Sequence, residues 1–328
     1  LRLYWDLDLN AKNELRKSNQ MVIDKISSVL PNFVGGSADV SSSTYATISK
    51  SIAVTDGRYN GKNICFGTRE YAMGSILNGL ALSGFRPFGA TFLAFSDLVK
   101  PAIRMSALMK LPVTYIFTHD SISIGADGPT HQPVEQLAML RATPNLNVYR
   151  PCDVKELIGC WNIILNTNDA PSALVVSKQQ TAILPTTDAG MCGRGAYIVR
   201  REEKLHGIII ATGTDVHMAI VLANDLYNKY KLDLRVVSMP CMEIYNMQPQ
   251  GYKDLLLPKG YRIFVLESGS SFGWHQFVYD NSYLLTIDEY GTSASKGEVE
   301  KKLGYDFVSL RAKILDKFTK KWKIFHFF

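Results

Sequence analysis

The densest group of reactive side chains in this sequence lies between residues 119 and 132. His119 opens the segment, and Asp127 and His131 follow within a glycine-rich stretch. The segment begins close to the end of a predicted strand at residues 113–117. Ligands of open α/β sheets bind at the carboxyl ends of strands, so this segment is the first candidate for a ligand-binding or active site.

The same segment permits two other interpretations. It holds two histidines and two aspartates within 13 residues, a combination that could bind a metal ion. Their spacing matches no standard zinc pattern, which argues against a metal site. A surface loop with incidental polar residues is the third interpretation. Composition alone does not decide among them.

Three further stretches carry weaker signals. Glu70 stands after a predicted strand, at the start of a predicted helix, where an acid offsets the helix dipole and needs no other role. Phe92 and Phe95 also follow a strand; such a pair usually packs in a core, but it could line a pocket for a flat heterocycle. Residues 211–214, A-T-G-T, lack the three glycines of a dinucleotide fingerprint, so a plain βα turn is the better interpretation.

Motifs of several large enzyme classes do not occur in the sequence. It contains no G-x-x-x-x-G-K-[ST] loop and no G-x-S-x-G nucleophile elbow. The first motif cradles phosphates and the second exposes a nucleophilic serine. Their absence argues against nucleoside triphosphatases and serine hydrolases.

Predicted strands and helices alternate along the chain. Strands are predicted at 32–36, 64–67, 86–92, 113–117, 147–149, 172–176, 207–211, 234–238, 262–266 and 284–287. Helices are predicted at 21–30, 70–82, 97–110, 153–166 and 215–230. Proline and glycine break the pattern near 180–192, which indicates a linker. We therefore predict an α/β protein of two domains, 1–186 and 187–328, each with a largely parallel sheet flanked by helices.

The net charge of +6 is concentrated near the carboxyl end. Residues 311–323 hold six basic residues and one acid, which leaves the rest of the chain nearly neutral. A nucleic-acid-binding protein usually spreads its basic residues over a docking face. We interpret this tail as a solvated helix end and expect no nucleic-acid partner.

Cysteine usage and hydropathy bear on the compartment. Five scattered cysteines without a C-x-x-C pair predict reduced thiols and a cytoplasmic protein. No apolar run reaches the length of a membrane span, and the amino terminus has no signal-sequence pattern, so no membrane partner is expected. The first residue is Leu rather than Met, which favours a piece of a longer protein.

Four segments together resemble transketolase, in the same order and with similar spacing. They are G-G-S-A-D at 35–39, T-R-E-Y-A-M-G at 68–74, T-H-D-S at 118–121 and D-G-P-T-H-Q-P at 127–133. The second and fourth separate transketolase from pyruvate dehydrogenase and from deoxyxylulose-phosphate synthase, which share the fold. The resemblance implies a thiamine-diphosphate-binding fold that holds the pyrimidine ring, followed by a transketolase C-terminal domain.

The resemblance also assigns contacts to the cofactor, thiamine diphosphate. Glu70 would bond to N1′ of the aminopyrimidine ring, since a carboxyl group that stays protonated in an apolar pocket can donate this bond. Phe92 and Phe95 would pack on the ring. Leu98 takes a third place in that wall, which the family usually gives to an aromatic residue. Asp39 would lie at the boundary with the diphosphate-binding domain.

Substrate contacts follow from the same resemblance. His119 and His131 would line the substrate channel, bond to sugar hydroxyls and move protons to and from the carbonyl group. Asp127 would contact a hydroxyl near the reacting carbon. With Glu70, the two histidines form the expected catalytic set.

The far end of the acceptor sugar and its phosphate would meet Arg16, Ser43 and His119. Where the family has a second arginine, this chain has Lys178. Lysine binds phosphate as a point charge rather than as a planar fork. We therefore expect Lys178 to contact the phosphate with lower affinity than an arginine.

The resemblance covers only half of the expected site. The family's diphosphate- and magnesium-binding domain carries a G-D-G motif, and no G-D-G occurs in these 328 residues. The Mg²⁺ ligands are therefore expected on another polypeptide or on a missing N-terminal half, and no metal ligand is assigned to this chain. A fragment of a full-length enzyme and one subunit of a split transketolase both fit.

The implied activity is transfer of a two-carbon ketol unit from a ketose phosphate to an aldose phosphate, in the pentose phosphate pathway. The full enzyme is expected to be a homodimer with its cofactor between subunits. A non-catalytic binding or regulatory module is one alternative, against which the joint presence of Glu70, His119 and His131 argues. An enzyme for another α-keto donor is a second, against which D-G-P-T-H-Q-P argues.

Overall fold

Two large β-sheets flanked by helices, with one small two-stranded sheet, make up residues 13–319, the part of the chain that the computed structural model describes. The elements of the first half are β1 (Asn13–Glu14), α1 (Leu15–Val29), β2 (Phe33–Ser37), α2 (Ser41–Thr44), β3 (Asn63–Cys65), α3 (Glu70–Leu82), β4 (Arg86–Phe92), α4 (Ser96–Leu108), β5 (Thr114–Thr118), α5 (Gln136–Arg141), β6 (Asn147–Tyr149), α6 (Val154–Asn166), β7 (Ser172–Val176) and β8 (Gln180–Thr181).

The elements of the second half are β9 (Tyr197–Arg200), β10 (Gly207–Ala211), α7 (Asp215–Tyr230), β11 (Leu234–Ser238), α8 (Met242–Asn246), α9 (Gln250–Leu256), β12 (Arg262–Leu266), β13 (Leu284–Leu285), α10 (Lys296–Lys302) and α11 (Phe307–Thr319). Strands β1 and β8 pair antiparallel with each other in the small sheet. The other strands of the two halves belong to separate sheets, which we call the N-terminal and the C-terminal sheet.

The N-terminal sheet is parallel throughout, in the order β3-β2-β4-β5-β7-β6. Every residue of β5 and β7 is buried, because helices cover both faces of a parallel sheet. The C-terminal sheet has the order β13-β12-β10-β11-β9 and is parallel except for β9, which pairs antiparallel with β11. The predicted fold class, two largely parallel sheets flanked by helices, is confirmed.

Most central elements have their predicted bounds, but the first helix does not. It begins at Leu15, six residues before the predicted start at residue 21. The reason is that polar residues at its start are buried: Asn19 is fully buried and accepts a hydrogen bond from the indole of Trp161, with 2.7 Å between the atoms. A search for hydrophobic periodicity does not detect a polar residue that is buried because it bonds to a residue far along the chain.

Several elements of the second half were not predicted. The antiparallel strand β9 is short and half-buried. Helix α10 carries a capping box between Ser295 and Glu298, a sequence signal that was available. Helix α11 contains the first part of the basic tail, and Lys313 is exposed on it, as expected of a solvated helix end. The remaining tail, including Lys320 and Lys323, lies outside the described residues.

Two of the compartment predictions can be compared with the structure. All five cysteines are free thiols, as predicted, and four of them are buried. Among residues 13–319 we found no helix that combines the length and the apolar character required to cross a bilayer.

A buried ion network joins the two sheets. Arg150 follows β6 and is only 1% exposed; its guanidinium donates to Asp120 at 2.9 Å and to Asp215 at 2.8 Å. Beside it, Arg141 makes two bonds to Glu267, at 2.6 and 2.8 Å. Burial alone would raise the pKa of Glu267, but the guanidiniums of Arg141 and Arg150 outweigh it and hold that pKa at about 2.

Arg150 also fills the crevice in which doubly wound sheets usually bind ligands. The crevice lies between β10 and β12, where the chain moves to opposite sides of the sheet. Arg150 donates there to the hydroxyl of Thr212 at 2.9 Å. Gly213 packs so closely on it that an added Cβ would lie 2.8 Å from its Cγ. The A-T-G-T segment is therefore a βα turn, as predicted. The structure adds that this turn packs on Arg150.

We predict that Arg150→Met strongly destabilises the protein. The change leaves Asp120 and Asp215 buried without their shared cation, and breaking a buried ion pair from one side costs about 3–5 kcal/mol. Urea unfolding should show this loss as a lower midpoint. The exposed Arg201 supplies a matched control, since Arg201→Met should change stability by less than about 0.5 kcal/mol. Equal midpoints for the two variants would contradict the prediction.

Candidate functional site

The predicted site residues lie at one edge of the N-terminal sheet. Parallel strands end at the same edge, so the residues that follow them are brought together. Phe92 ends β4, His119 follows β5, and Lys178 comes two residues after β7. Glu70 begins α3, the helix after β3, and Asp39 comes two residues after β2.

Glu70 is a buried carboxyl group with spare hydrogen-bonding capacity. It is 5% exposed, and the hydroxyl of Thr91 donates to its Oε1 at 3.3 Å. Within residues 13–319 no basic side chain forms an ion pair with it. Because most of its oxygen lone pairs have no protein partner, Glu70 can bind a polar atom of a ligand.

Aromatic rings connect Glu70 to the two histidines. Phe92, the neighbour of Thr91, stacks on Phe95 with 5.6 Å between ring centroids. The ring of His119 lies 3.8 Å from that of Phe92, and the ring of His131 lies 5.3 Å from that of Phe95. Leu98 is in the first turn of α4 and is 55% exposed. The structure thus gathers both phenylalanines and both histidines into one cluster.

Each histidine is bonded to the threonine that precedes it. The Nδ1 atom of His119 lies 2.8 Å from Oγ1 of Thr118, and that of His131 lies 2.9 Å from Oγ1 of Thr130. These bonds occupy Nδ1 and leave Nε2 of each ring for another partner. Neither threonine is among the predicted site residues, although the repeated Thr-His dipeptide is a visible signal in the sequence.

His119 is held in an unusual conformation and environment. Its φ is +58°, a left-handed value that is uncommon outside glycine. Burial, together with the cations Lys178 and Arg16, lowers its pKa to about 4, while Asp127 and Asp120 act in the opposite direction. At neutral pH the His119 ring is therefore uncharged.

Two cations lie beside this cluster. Arg16, on α1, donates to the main-chain oxygen of Ser43 and forms an ion pair with Glu14, with 2.7 Å between Nε and Oε2. Lys178 lies 3.5 Å from a carboxylate oxygen of Asp127, and about a third of its side chain is exposed. Arg16 is thus engaged with the protein, whereas Lys178 keeps donors for a ligand.

Asp39 lies apart from the ring cluster. It is exposed, has a φ of +62°, and accepts a 3.4 Å hydrogen bond from Thr68. Across residues 13–319, no group of three or more His, Cys, Asp or Glu side chains is placed to hold a metal ion.

Comparisons with known proteins agree along the chain. Residues 11–182 match the model of the transketolase pyrimidine-binding domain, and residues 195–306 match that of the transketolase-like C-terminal domain. A transketolase of Bacillus subtilis is 43% identical over 297 residues, which cover 88% of this chain and 44% of that protein. This chain therefore spans somewhat less than half the length of such relatives.

Solved structures extend the comparison. The transketolase from Leishmania mexicana aligns with a TM-score of 0.89 and 35% identity, covering 95% of this chain and 47% of that one. A split gene transketolase, described as an inactive beta4 tetramer, aligns over 94% of this chain and 99% of its own, with a TM-score of 0.73. At 18% identity, the latter likeness shows a shared fold alone.

We predict that His119 stays neutral at pH values at which exposed histidines are protonated. Nitrogen-15 NMR of the labelled chain should show its ring titrating near pH 4, against an ordinary value of 6.5. Because the unfolded chain takes up this proton at higher pH, His119 makes folding less favourable as the pH falls from 6.5 to 4.

A charge substitution tests the cause of this shift. Lys178→Gln removes a cation that disfavours the imidazolium, so the midpoint of His119 should rise. Lys204→Gln, an exposed lysine in the second half of the chain, should leave the midpoint unchanged. A midpoint near 6.5 in the parent, or equal midpoints for the two variants, would show that this account of the site is wrong.

Proposed function

Because the chain belongs to the transketolase family, we propose that it supplies the pyrimidine-binding side of a thiamine-diphosphate site. The complete site would move a two-carbon ketol unit from a ketose phosphate to an aldose phosphate. The observation that carries this proposal is the buried Glu70 beside the stacked rings of Phe92 and Phe95, with both histidines packed around them. We also propose a domain boundary between residues 186 and 187.

The residues present fit an aminopyrimidine ring. Glu70 would bond to a ring nitrogen, since its carboxyl group is buried and only weakly engaged. Phe92 and Phe95 would pack on the ring, and offset aromatic contact adds roughly 0.5–1.5 kcal/mol beyond area burial. When bound, thiamine diphosphate supplies the carbon nucleophile that takes up the ketol unit. Leu98 would extend the apolar wall, and Asp39 would face the diphosphate-binding part.

The two histidines would act on the sugar in different ways. His119 is uncharged at neutral pH, so it would hold a sugar oxygen or the acceptor's phosphate by a hydrogen bond. His131 is less buried, and Thr130 occupies its Nδ1, which leaves Nε2 to exchange a proton with the carbonyl group or a hydroxyl. Asp127 would accept a bond from a hydroxyl near the reacting carbon.

The phosphate of the substrate would lie toward Lys178. Its ion pair with Asp127 is long and partly exposed, so the ammonium can reach an anion at little energetic cost. Arg16 and the main chain at Ser43 would border the same end of the channel. Because lysine offers no planar fork, we expect moderate phosphate affinity.

The diphosphate and Mg²⁺ would be held by a different part of the enzyme. The face formed by α3 and α4 exposes large apolar side chains, as an interface does. They are Tyr71, Ile76, Leu82, Leu98, Met105 and Leu108. We propose that the diphosphate-binding part covers this face, on another polypeptide or in a longer form of this protein, within a homodimeric enzyme. We further propose a cytoplasmic role in the pentose phosphate pathway.

The central test compares Glu70→Gln with His131→Asn in the enzyme reconstituted with a diphosphate-binding half. Glu70→Gln preserves volume but cannot share a proton, so exchange of the cofactor's C2 proton should slow by a factor on the order of 10²–10⁴. His131→Asn should leave that exchange near the parent rate and lower ketol transfer. Glu203→Gln, an exposed acid, is the control.

The outcome of this comparison is clear in either direction. C2 exchange in Glu70→Gln at the rate of the Glu203→Gln control would mean that Glu70 only starts a helix. Slowed exchange in His131→Asn would contradict the proposed division of roles, in which Glu70 acts on the cofactor and His131 on the sugar alone.

A further prediction concerns the 328-residue chain alone. With thiamine diphosphate and Mg²⁺ it should bind the cofactor weakly and transfer no ketol unit, because it contributes only the pyrimidine side. Calorimetry and a coupled ketol-transfer assay, with and without the diphosphate-binding half, provide the measurement. Efficient transfer by the chain alone would refute the proposed division of the site.

A further inference from the structure

The loop that carries Asp127 and His131 is bonded to the second half of the chain. Gln132, which is only 2% exposed, donates through its Nε2 to two main-chain oxygens. One belongs to Gly125 in the same loop, at 2.8 Å, and the other to Thr292, at 3.0 Å. Thr292 lies between β13 and α10. The side chain next to His131 therefore links the loop to a segment 160 residues further along the chain.

Glycines allow the loop and the segment around Thr292 to pack closely against each other. A Cβ on Gly291 would lie 1.8 Å from Oε1 of Gln132. A Cβ on Gly128, whose φ is +81°, would lie 2.4 Å from Oγ of Ser293. At these distances a side chain on either glycine would force Gln132 or Ser293 to shift. The fit depends on the absence of Cβ atoms on both sides.

The two ends of the loop are held by the second half as well. At its start, the hydroxyl of Ser123 donates to Glu300 on α10 at 3.0 Å. At its end, the main-chain N–H of Ser270 donates to the oxygen of Val134 at 2.8 Å. Between these points the described secondary structure of the loop is one short 3-10 helix, Ile122–Asp127. Its conformation therefore depends on contacts outside it.

We propose that residues 291–296, which we call the loop support, position the loop that carries Asp127 and His131. Gln132 is the positioning residue through which they do so. The inference rests on the proposed function, because it takes His131 and Asp127 to act on the sugar. It gives the second half of the chain a part in ketol transfer that requires no ligand of its own. It also agrees with the ligand crevice of the C-terminal sheet being filled by Arg150.

The physical reason is the cost of an unpaired buried amide. If Gln132 lost its bond to Thr292 within the packed loop, one of the two N–H donors of its Nε2 would be left unpaired, with only the bond to Gly125 remaining. The main-chain N–H of Gln132 donates to Gly128, as does that of His131. A shift of the Gln132 side chain would therefore move the backbone that carries His131.

The first test inserts one methyl group and measures the loop directly. Gly291→Ala should disrupt the contact with Gln132, and hydrogen exchange at the main-chain amides of Gly128, His131 and Gln132 should speed up about tenfold or more in the purified chain. Exchange in β5 should remain at the parent rate. Gly297→Ala is the matched control, since a Cβ there meets nothing within 4 Å.

A second variant removes the link without inserting an atom. Gln132→Ala should speed exchange in the same amides while the chain remains folded. The double variant, Gln132→Ala with Gly291→Ala, should be no looser than Gln132→Ala alone, because the methyl group then has no side-chain oxygen to displace. Unchanged loop exchange in both single variants, or equal loosening by Gly297→Ala, would overturn the proposal.

The consequence for catalysis is measured in the reconstituted enzyme. Gln132→Ala should lower kcat/KM for the ketol donor about 10- to 100-fold, since misplacing a reacting group by about 1 Å has effects of this size. C2 proton exchange should stay at the parent rate, because Glu70 is untouched. A loosened loop with parental kcat/KM would overturn the positioning role. Absence of ketol transfer in the parent enzyme would instead refute the proposed function. The hydrogen-exchange rates of the variants would still show whether residues 291–296 hold the loop.

Discussion

The architecture depends on one buried cation, Arg150. It follows the edge strand of the N-terminal sheet and ends among acids of both halves, Asp120 and Asp215. Because it also reaches Thr212 at the end of β10, the carboxyl edges of the two sheets face each other across its guanidinium. A buried arginine is stable only while its anions stay in place, so the relative position of the sheets is fixed by charge as well as by packing.

The ion pairs of Arg150 also constrain the candidate site, because one of their acids is adjacent in sequence to a site residue. Asp120 directly follows His119, whose left-handed backbone is a conformation that a protein keeps only when its surroundings impose it. The ion pair holds Asp120, and the ring of Phe92 packs on His119 at 3.8 Å. The same cation that closes the crevice of the C-terminal sheet thus secures a histidine at the edge of the N-terminal sheet.

The central strands, which the structure confirms, and the candidate site residues, which remain predictions, were inferred from the sequence for different reasons. Strands such as β7 and β10 are continuous apolar runs that a buried parallel sheet requires. The site residues came from segments whose order and spacing resemble a family. What could not be predicted depends on distant partners: the early start of α1 requires Trp161 to meet Asn19, and the hold on the loop requires Thr292 to meet Gln132. Hydrophobic periodicity indicates which face of an element is buried, but it does not identify the distant polar partner that a buried residue will meet.

The environments of the two histidines assign them different tasks. A ring with a pKa of about 4 cannot deliver a proton at neutral pH, so in the proposed function His119 would serve the substrate as a neutral hydrogen-bonding group. Proton transfer to the sugar would then be carried out by His131, whose ring is nearer to solvent and lies on a loop that is bonded to the second half of the chain. Burial suits the first task, and a supported position nearer to solvent suits the second. Under these proposals both halves of the chain are needed, because one supplies His119 and the other holds the loop that carries His131.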